Sequence, residues 1–409
     1  MLGLGYIGLP TALLLASAGH TVVGVDIKPA IVDQLQKGTL PFQEPGLEEL
    51  YKAARDHFSA TAELSSSDVY IIAVPTPVEK GLKMAELSMV RKAAETIAHV
   101  IKENQLVILE STVPPGTSEH LVLPLLRRNG VSSLFYVHCP ERAIPGKTLY
   151  EMVHNTRIIG GLDSESATKA KDLYSSFVKG EIILSDMRTA EFVKLMENTF
   201  RDINIALANE FSLMAEEYQV NIWKAIDLAN KHPRVTILKP GPGVGGHCIA
   251  VDPLFLVEKS GKSRIVSLAR EINDSMPVYV MKLANELLKK TVNPTITLLG
   301  LAYKGNVDDM RESPSFKLKK IAESEGIIVK CYDPLVKHYE ENASSLEEAT
   351  RDSDCLIVVT DHDVFTQIDP HALPIRQKNV IDTRNILNHK TWRDAGYKVR
   401  ILGVAEPAL

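Results

Sequence analysis

The stretch MLGLGYIGLPTALLLASAG, Met1–Gly19, decides how the rest of the chain is read. Gly3, Gly5 and Gly8 fall on the GxGxxG spacing of a dinucleotide-binding loop, and a helix-like apolar run follows them to Ala18. The same stretch is apolar enough for a secretory leader, and it ends in Ala16-Ser17-Ala18, small residues of the kind that precede a cleavage site. It lacks the Lys or Arg expected ahead of a leader's apolar segment. The next residues favour the glycine fingerprint. Thr21-Val22-Val23-Gly24-Val25 predicts a strand ending at Asp26, 18 residues past Gly8, near the spacing of the acid that binds a ribose diol. Glycines let the backbone approach a pyrophosphate, and a helix N-terminus stabilises its charge. An acid at position 26 favours NAD, because it repels a 2′-phosphate. Such a fingerprint normally follows a strand, and only Met1 and Leu2 precede the first glycine. The expectation is therefore a truncated first strand in a chain that starts late, a few upstream residues rich in Val and Ile being absent; if the 409 residues are instead the whole product, weak NAD binding and a soft N-terminal domain are expected.

The 409 residues suffice for two or three domains with full cores. Hydrophobic residues at 45% and charged residues at 24% are ordinary for a globular protein. A net charge of −5 gives no basic field for nucleic acid or an anionic membrane surface. Cys139, Cys248, Cys331 and Cys355 are scattered and form no CxxC pair, which speaks against a zinc cluster or a disulfide framework. Reduced thiols in a cytoplasmic enzyme fit best, one of them a candidate nucleophile. No apolar run reaches the roughly 18–20 residues of a membrane span.

Short β-branched runs alternate with helical patterns through the first part of the chain. Thr21–Val25, Val69–Val74, Leu106–Leu109 and Leu134–Val137 read as strands. Turn residues follow two of them, Val74-Pro75-Thr76-Pro77 and Ser111-Thr112-Val113-Pro114, at the strand ends where open parallel sheets bind ligands. Thr189–Val220 holds no Pro or Gly and predicts one long helix or two joined ones, and helical pattern resumes over Ser267–Lys290. Strands return at Ile296–Leu299, Ile327–Cys331, Cys355–Val359 and Val380–Ile381. The fold class expected is α/β: two Rossmann-like doubly wound domains, residues 1–188 and 291–409, joined by a helical middle domain, residues 189–290.

Two further stretches carry chemistry. GPGVGGHCIAVDP, Gly241–Pro253, sets Cys248 between a glycine-rich loop and the acid Asp252. It reads either as a nucleophilic thiolate approached closely by substrate or as a structural cysteine beside a flexible loop. Lys194 and Asn198 are four residues apart on a predicted helix and share a face. They can stabilise an oxyanion, or they can belong to a solvated face.

Taken in order, GLGYIG, VPTP, STVPPG, CPER, the Lys194/Asn198 pair, GPGVGGHCIAVDP and GLAYKGNVDDMRESP resemble the UDP-sugar 6-dehydrogenases over essentially the whole chain. CPERAIPG and GGHCIAVDP resemble the branch of that family acting on UDP-N-acetyl-D-mannosamine. The UDP-glucose branch typically reads NPEF, so Arg142 marks a different sugar. Enzymes of UDP-N-acetylglucosamine or UDP-glucose remain the near alternatives. A catalytically silent nucleotide-sugar binder and a two-electron 3-hydroxyacid dehydrogenase are the more distant ones, and the latter would not need Cys248.

The resemblance implies an NAD-dependent, four-electron oxidation of a sugar C6 alcohol to a carboxylate. Cys248 would capture the intermediate aldehyde as a thiohemiacetal, and a thioester would follow and be hydrolysed. Lys194 and Asn198 would hold the oxyanion, Asp252 and Glu141 would handle water and proton transfers, and Thr112 would position a water. Gly3, Gly5, Tyr6, Ile7, Gly8, Asp26, Pro75, Thr76 and Thr112 would bind NAD, joined by Arg311. Arg142, Lys194, Asn198, Arg234, Gly241, Gly243, Gly245, Gly246 and Lys304 would bind a UDP-N-acetylhexosamine. The resemblance further implies a homodimer or higher homo-oligomer built on the helical middle, with no nucleic-acid, membrane or metal partner.

Overall fold

The computed structural model describes residues 1–79, 84–258 and 260–405. They form two compact units, Met1–Glu197 with Leu254–Ser260, and Asn198–Pro253 with Gly261–Leu409.

The first unit is built on strands β1 (Val22–Val25), β2 (Phe58–Thr61), β3 (Val69–Ile72), β4 (Leu106–Leu109), β5 (Phe135–His138), β6 (Arg157–Gly161) and β7 (Ile182–Asp186). Strand β2 pairs with β1, and β3 to β7 follow one another in order. At the place of the first strand, Met1–Gly3 runs between β1 and β3 as a short bridged segment. Leu2 bridges Val25 on one side and Ile72 on the other, both in the parallel sense. Val25 N donates to Met1 O at 2.7 Å and Gly3 N to Val25 O at 2.8 Å, while Leu2 N donates to Ile71 O at 2.7 Å and Ala73 N to Leu2 O at 2.8 Å. Three residues thus stand where such a sheet usually has a strand of five or six. Counting that segment as strand one, the order is 3-2-1-4-5-6, extended by β6, antiparallel to β5, and by β7.

The leader-like apolarity of the opening is core. Helix Gly8–Ser17 buries Leu9, Leu13, Leu14, Leu15 and its alanines, packing with Leu47, Ala54, Ala170 and Tyr174 on one side of the sheet. A second cluster of Val90, Ala94, Ile97, Val122 and Leu126 gathers around Tyr70, Val107 and Tyr136. Coverage of both faces explains why β4 is apolar at every position.

Helix Met187–Glu217 is continuous over 31 residues, close to the predicted Thr189–Val220. The second unit adds helix Arg264–Leu288, which carries Pro277 in its interior, and strands β8 (Thr295–Leu299), β9 (Ile328–Tyr332), β10 (Cys355–Val358), β11 (Asn379–Asp382) and β12 (Lys398–Ile401). Their order is β12-β11-β10-β8-β9, parallel throughout, which is the 2-1-3-4-5 doubly wound arrangement with its switch point between β8 and β10. Strands β2, β6, β7 and β12 are additions to the sequence reading.

Candidate active site

In the first unit the glycine fingerprint makes the turn from Met1–Gly3 into helix Gly8–Ser17. Gly3 has φ +92°, and a Cβ there would lie 2.5 Å from Ala73 O. A Cβ on Gly8 would lie 2.0 Å from Gly3 O, so the first and third glycines are required by packing. A Cβ on Gly5 would meet nothing within 4 Å, which leaves that side of the backbone open to a ligand. Ile7 caps the helix without a side-chain hydrogen bond, and the first turn holds no acid to compete with a phosphate. Tyr6 packs its ring on Phe42, 4.3 Å between centroids. Asp26 lies just past β1, its carboxylate aimed by Leu4 N and Lys28 N, each 2.9 Å away. These features fit a dinucleotide: open backbone at the middle glycine, an uncapped helix N-terminus and an oriented acid at the next strand end. Pro75 and Thr76 follow β3, and Thr112 follows β4. The turn after Thr112 is tied down by Glu191 of the long helix, which accepts from Gly116 N and Ser118 N.

Behind β4 and β5 lies a buried charge cluster. Arg157 places one guanidinium nitrogen 2.7 Å from Glu141 Oε2 and another 3.6 Å from Glu110 Oε1. Its plane covers the Tyr174 ring, 4.4 Å from the centroid. Glu110 also accepts from Tyr174 Oη at 2.7 Å and from Thr11 Oγ1 at 3.3 Å. Two buried carboxylates cannot both be balanced by one guanidinium. Burial pushes the Glu110 carboxyl up to about 7 despite Arg157. Burial would raise Glu141 too, but Arg157 and the N–H groups of Arg142 and Ala143 outweigh it and hold it below the usual carboxylate range. Glu141 is thus a fixed anion. Arg142 forms a bidentate pair with Glu197 and donates to Thr156 O at 2.6 Å. Lys194, on the same long helix, is buried.

In the second unit the structure brings Asn198, Asp252 and the Cys248 turn together. Asn198 Nδ2 donates to Asp252 Oδ2, and Asp252 N donates to Cys248 O at 2.7 Å. Asp252 is buried, whereas Cys248 is half-buried. Asn198 continues the helical face begun by Lys194, one turn earlier on the helix.

The glycine loop ahead of Cys248 is held from several sides. Gly241 N donates to Asn209 Oδ1 at 2.8 Å, and Asn209 in turn donates to Asn273. Gly243, at φ +129°, packs near Asn273 O and the Pro277 ring; that carbonyl is the one left without its helical partner because Pro277 has no N–H. Gly246 N donates to Arg311 O at 2.9 Å, and a Cβ on Gly246 would meet the Tyr303 ring at 2.9 Å. A Cβ on Gly245 would sit 2.7 Å from Glu312 O and 2.8 Å from Tyr303 Cβ. Gly245→Ala is therefore expected to destabilise the protein by about 1–3 kcal/mol, while Gly5→Ala stays within about 0.5 kcal/mol. Urea melts of the two variants check this.

Arg311 pairs bidentately with Asp309, and Lys304 is exposed on the same segment. Arg234 is exposed beyond helix Ile222–Ala229. Sequence reasoning passed over Arg384. It follows β11, donates to Val359 O, and lies 2.7 Å from where a Gly241 Cβ would be. Its place just after a strand end in a doubly wound sheet was the available signal. Glu110 and Arg157 were also passed over, and nothing in their local sequence announces the cluster.

Comparison with known proteins gives three matches that together span most of the chain. Residues 1–178 match the NAD binding domain of the UDP-glucose/GDP-mannose dehydrogenase family, residues 188–275 its central domain, and residues 297–389 its UDP binding domain. A UDP-N-acetyl-D-mannosamine dehydrogenase of Methanococcus maripaludis is 47% identical, over 98% of this chain and 96% of that protein. An NDP-N-acetyl-D-galactosaminuronic acid dehydrogenase of Ralstonia nicotianae is 42% identical, over 95% of this chain and 96% of that one. The structure of the UDP-D-ManNAc dehydrogenase of Pyrococcus horikoshii superposes with a TM-score of 0.93 at 41% identity, covering 98% of each chain. With its glycine turn, Cys248 loop and two doubly wound sheets matched in this way, the chain belongs to the UDP-glucose/GDP-mannose dehydrogenase family, NAD-dependent oxidoreductases acting on nucleotide sugars.

Proposed function

We propose that the protein oxidises the C6 alcohol of UDP-N-acetyl-D-mannosamine to the uronate, removing four electrons in two stages. The observation that carries this reading is the half-buried Cys248 beside the Asn198–Asp252 contact, at the end of a glycine loop whose packing tolerates no side chain at Gly245 or Gly246. NAD, when bound, supplies the hydride acceptor for each stage. Gly3, Gly5, Tyr6, Ile7, Gly8, Asp26, Pro75, Thr76 and Thr112 would hold it, with Arg311 as a further cofactor-binding residue. Cys248 Sγ adds to the C6 aldehyde, and the carbonyl oxygen takes a proton to give a thiohemiacetal. Only such an adduct presents a second C–H for oxidation to the thioester. Water then displaces the sulfur, releasing the carboxylate and regenerating the thiol. Lys194 and Asn198 stabilise the oxygen that carries charge at each addition. Asp252, accepting from Asn198, is oriented to take a proton. Glu141, an anion pinned by three donors, takes part in the water and proton transfers, and Thr112 positions a water. Arg142, Arg234, Lys304 and the glycines from Gly241 to Gly246 bind the UDP-N-acetylhexosamine. The functional domains would follow residues 1–188 for the cofactor, 189–290 for the cysteine loop and 291–409 for the nucleotide.

A substrate panel tests the reading. Two NADH per UDP-N-acetyl-D-mannosamine are expected, with kcat/KM above that for the UDP-N-acetylglucosamine, UDP-N-acetylgalactosamine and UDP-glucose analogues. One NADH per sugar, or a preference for UDP-glucose, would sink it. The galactosamine arm is included because of the Ralstonia relative.

A homo-oligomer belongs to the same proposal. Phe200, Leu207 and Met214 recur every seven residues along helix Met187–Glu217, and all three are exposed. An apolar stripe of that kind on a long helix suits a second copy of the chain. Leu207→Glu is expected to shift the mass in light scattering from dimer or higher to monomer. No helix among the described residues is long and apolar enough to cross a membrane, and the cytoplasm, where NAD and nucleotide sugars occur together, is the proposed location.

A further inference from the structure

The segment Gly300–Asn306, which follows β8 and carries Tyr303 and Lys304, has little regular structure of its own. Its backbone is held by residues at the ends of the neighbouring strands. Gly300 N donates to Tyr332 O at 2.8 Å, and Thr360 Oγ1 donates to Ala302 O at 2.6 Å. Asp333, just past β9, takes Leu301 N at 2.7 Å and Ala302 N at 2.9 Å on one carboxylate oxygen. Gly305 N donates to Asp361 at 3.1 Å, and Asn306 exchanges side-chain and backbone hydrogen bonds with Asp363.

At the centre of this set lies His362, fully buried past β10. Its Nε2 is 3.0 Å from Asp333 Oδ2, and Asn306 N donates to its Nδ1 at 3.0 Å. A backbone N–H can only donate, so Nδ1 is the unprotonated nitrogen and Nε2 carries the hydrogen, which it donates to Asp333. The edge of the Phe365 ring, 5.3 Å between centroids, closes the imidazole's other side. The histidine thus links the carboxylate that holds the start of the segment to the N–H at its end. Asn306 has φ +61°, in the left-handed region that asparagine enters more readily than most residues. Tyr303, in the middle of the same segment, supplies the ring on which Gly246 of the cysteine loop packs.

We propose that His362, as its neutral Nε2–H tautomer, is a positioning residue for nucleotide-sugar binding: with Asp333 it fixes the Gly300–Asn306 segment and, through Tyr303, the surface beneath the cysteine loop. The inference rests on the UDP-sugar reading of the second unit. His362 itself touches no substrate. It sets where Lys304 and the Tyr303 ring stand before substrate arrives, so its loss weakens binding of the nucleotide sugar and leaves the cofactor unit untouched.

Asparagine and glutamine each replace one half of the imidazole. An Asn amide puts its oxygen near the place of Nδ1, and a Gln amide puts its nitrogen near the place of Nε2. The test is calorimetric titration of UDP into the full chain, with steady-state KM for nucleotide sugar and NAD measured in parallel. His362→Phe is expected to weaken UDP binding and raise the sugar KM by roughly ten- to fifty-fold. The NAD KM should stay within about two-fold, and kcat should fall less than the sugar KM rises. His362→Asn, which keeps the acceptor facing Asn306, should restore UDP affinity to within about three-fold, and His362→Gln should resemble the Phe variant. Should His362→Phe not fold, the Asn and Gln variants still decide between the two halves of the ring. Wild-type UDP affinity in His362→Phe, or recovery in the Gln variant rather than the Asn variant, overturns the proposal while leaving the enzyme reading intact. Absence of UDP binding by the wild-type chain overturns the reading itself, and the proposal with it.

Discussion

Cys248→Ala is expected to lose uronate formation by a factor of about 10³ or more, while UDP binds as before. The reasoning is chemical. Removal of one hydride from the C6 alcohol leaves an aldehyde, and further oxidation requires a nucleophile to add and present a second C–H. Alanine cannot add. The substitution leaves the turn in place, because Asp252 N donates to the backbone carbonyl at position 248 and Asn198 still donates to the Asp252 carboxylate. Product analysis by mass spectrometry, alongside NADH absorbance, checks both halves: no acid, and at most one NADH per sugar. Undiminished acid production would remove the covalent step from the mechanism.

Arg157→Ala is expected to cost about 3–5 kcal/mol, a larger loss of stability than Gly245→Ala brings. It leaves Glu110 and Glu141 buried without their shared counter-charge. The opposite change at one partner has the opposite sign. Glu110 has a folded pKa of about 7 against 4.5 when unfolded. Between those values the folded chain keeps a proton that the unfolded chain has released. Stability contributed by this carboxyl is therefore full below about pH 4.5 and is lost as pH rises through about 7. Glu110→Gln removes that loss and leaves Arg157 balanced one-to-one by Glu141. The variant is expected to exceed wild type by about 1–3 kcal/mol at pH 8, with the difference shrinking toward pH 5. Urea melts at the two pH values check the slope, and parallel pH dependences in the two proteins would show that Glu110 does not titrate in this window.

Much of the fold was legible because β-branched runs and buried strands coincide in doubly wound sheets. Leu106–Leu109 recurs unchanged, and Cys355–Val359 differs by one residue. Strand β6 was not legible, since it ends in Gly160-Gly161, which reads as a turn. Those glycines belong to the strand because Asp186 O stands 2.5 Å from a Cβ on the first and Asp163 O 2.4 Å from a Cβ on the second. Strand β2 is four residues of mixed polarity, paired with β1 and exposed at Ser59. The opening glycine turn was legible from its spacing, and the short segment ahead of it is bridged to both neighbours at Leu2. In the site, the helix that carries both Lys194 and Asn198 was legible from the spacing of its apolar residues. Arg157, Glu110 and His362 act on partners 16 or more residues away, so their roles exist only once the chain has folded.

The four thiols differ sharply in surroundings. Cys139, Cys331 and Cys355 are buried, and burial pushes the first two up to about 12 and the third higher still. Cys248 alone is partly open to solvent. A small alkylating reagent applied to the folded chain should therefore be consumed at one equivalent per polypeptide, and UDP-sugar should slow that consumption. The fraction of chains that take up reagent then counts the competent molecules in a preparation, so the protein carries its own active-site titrant.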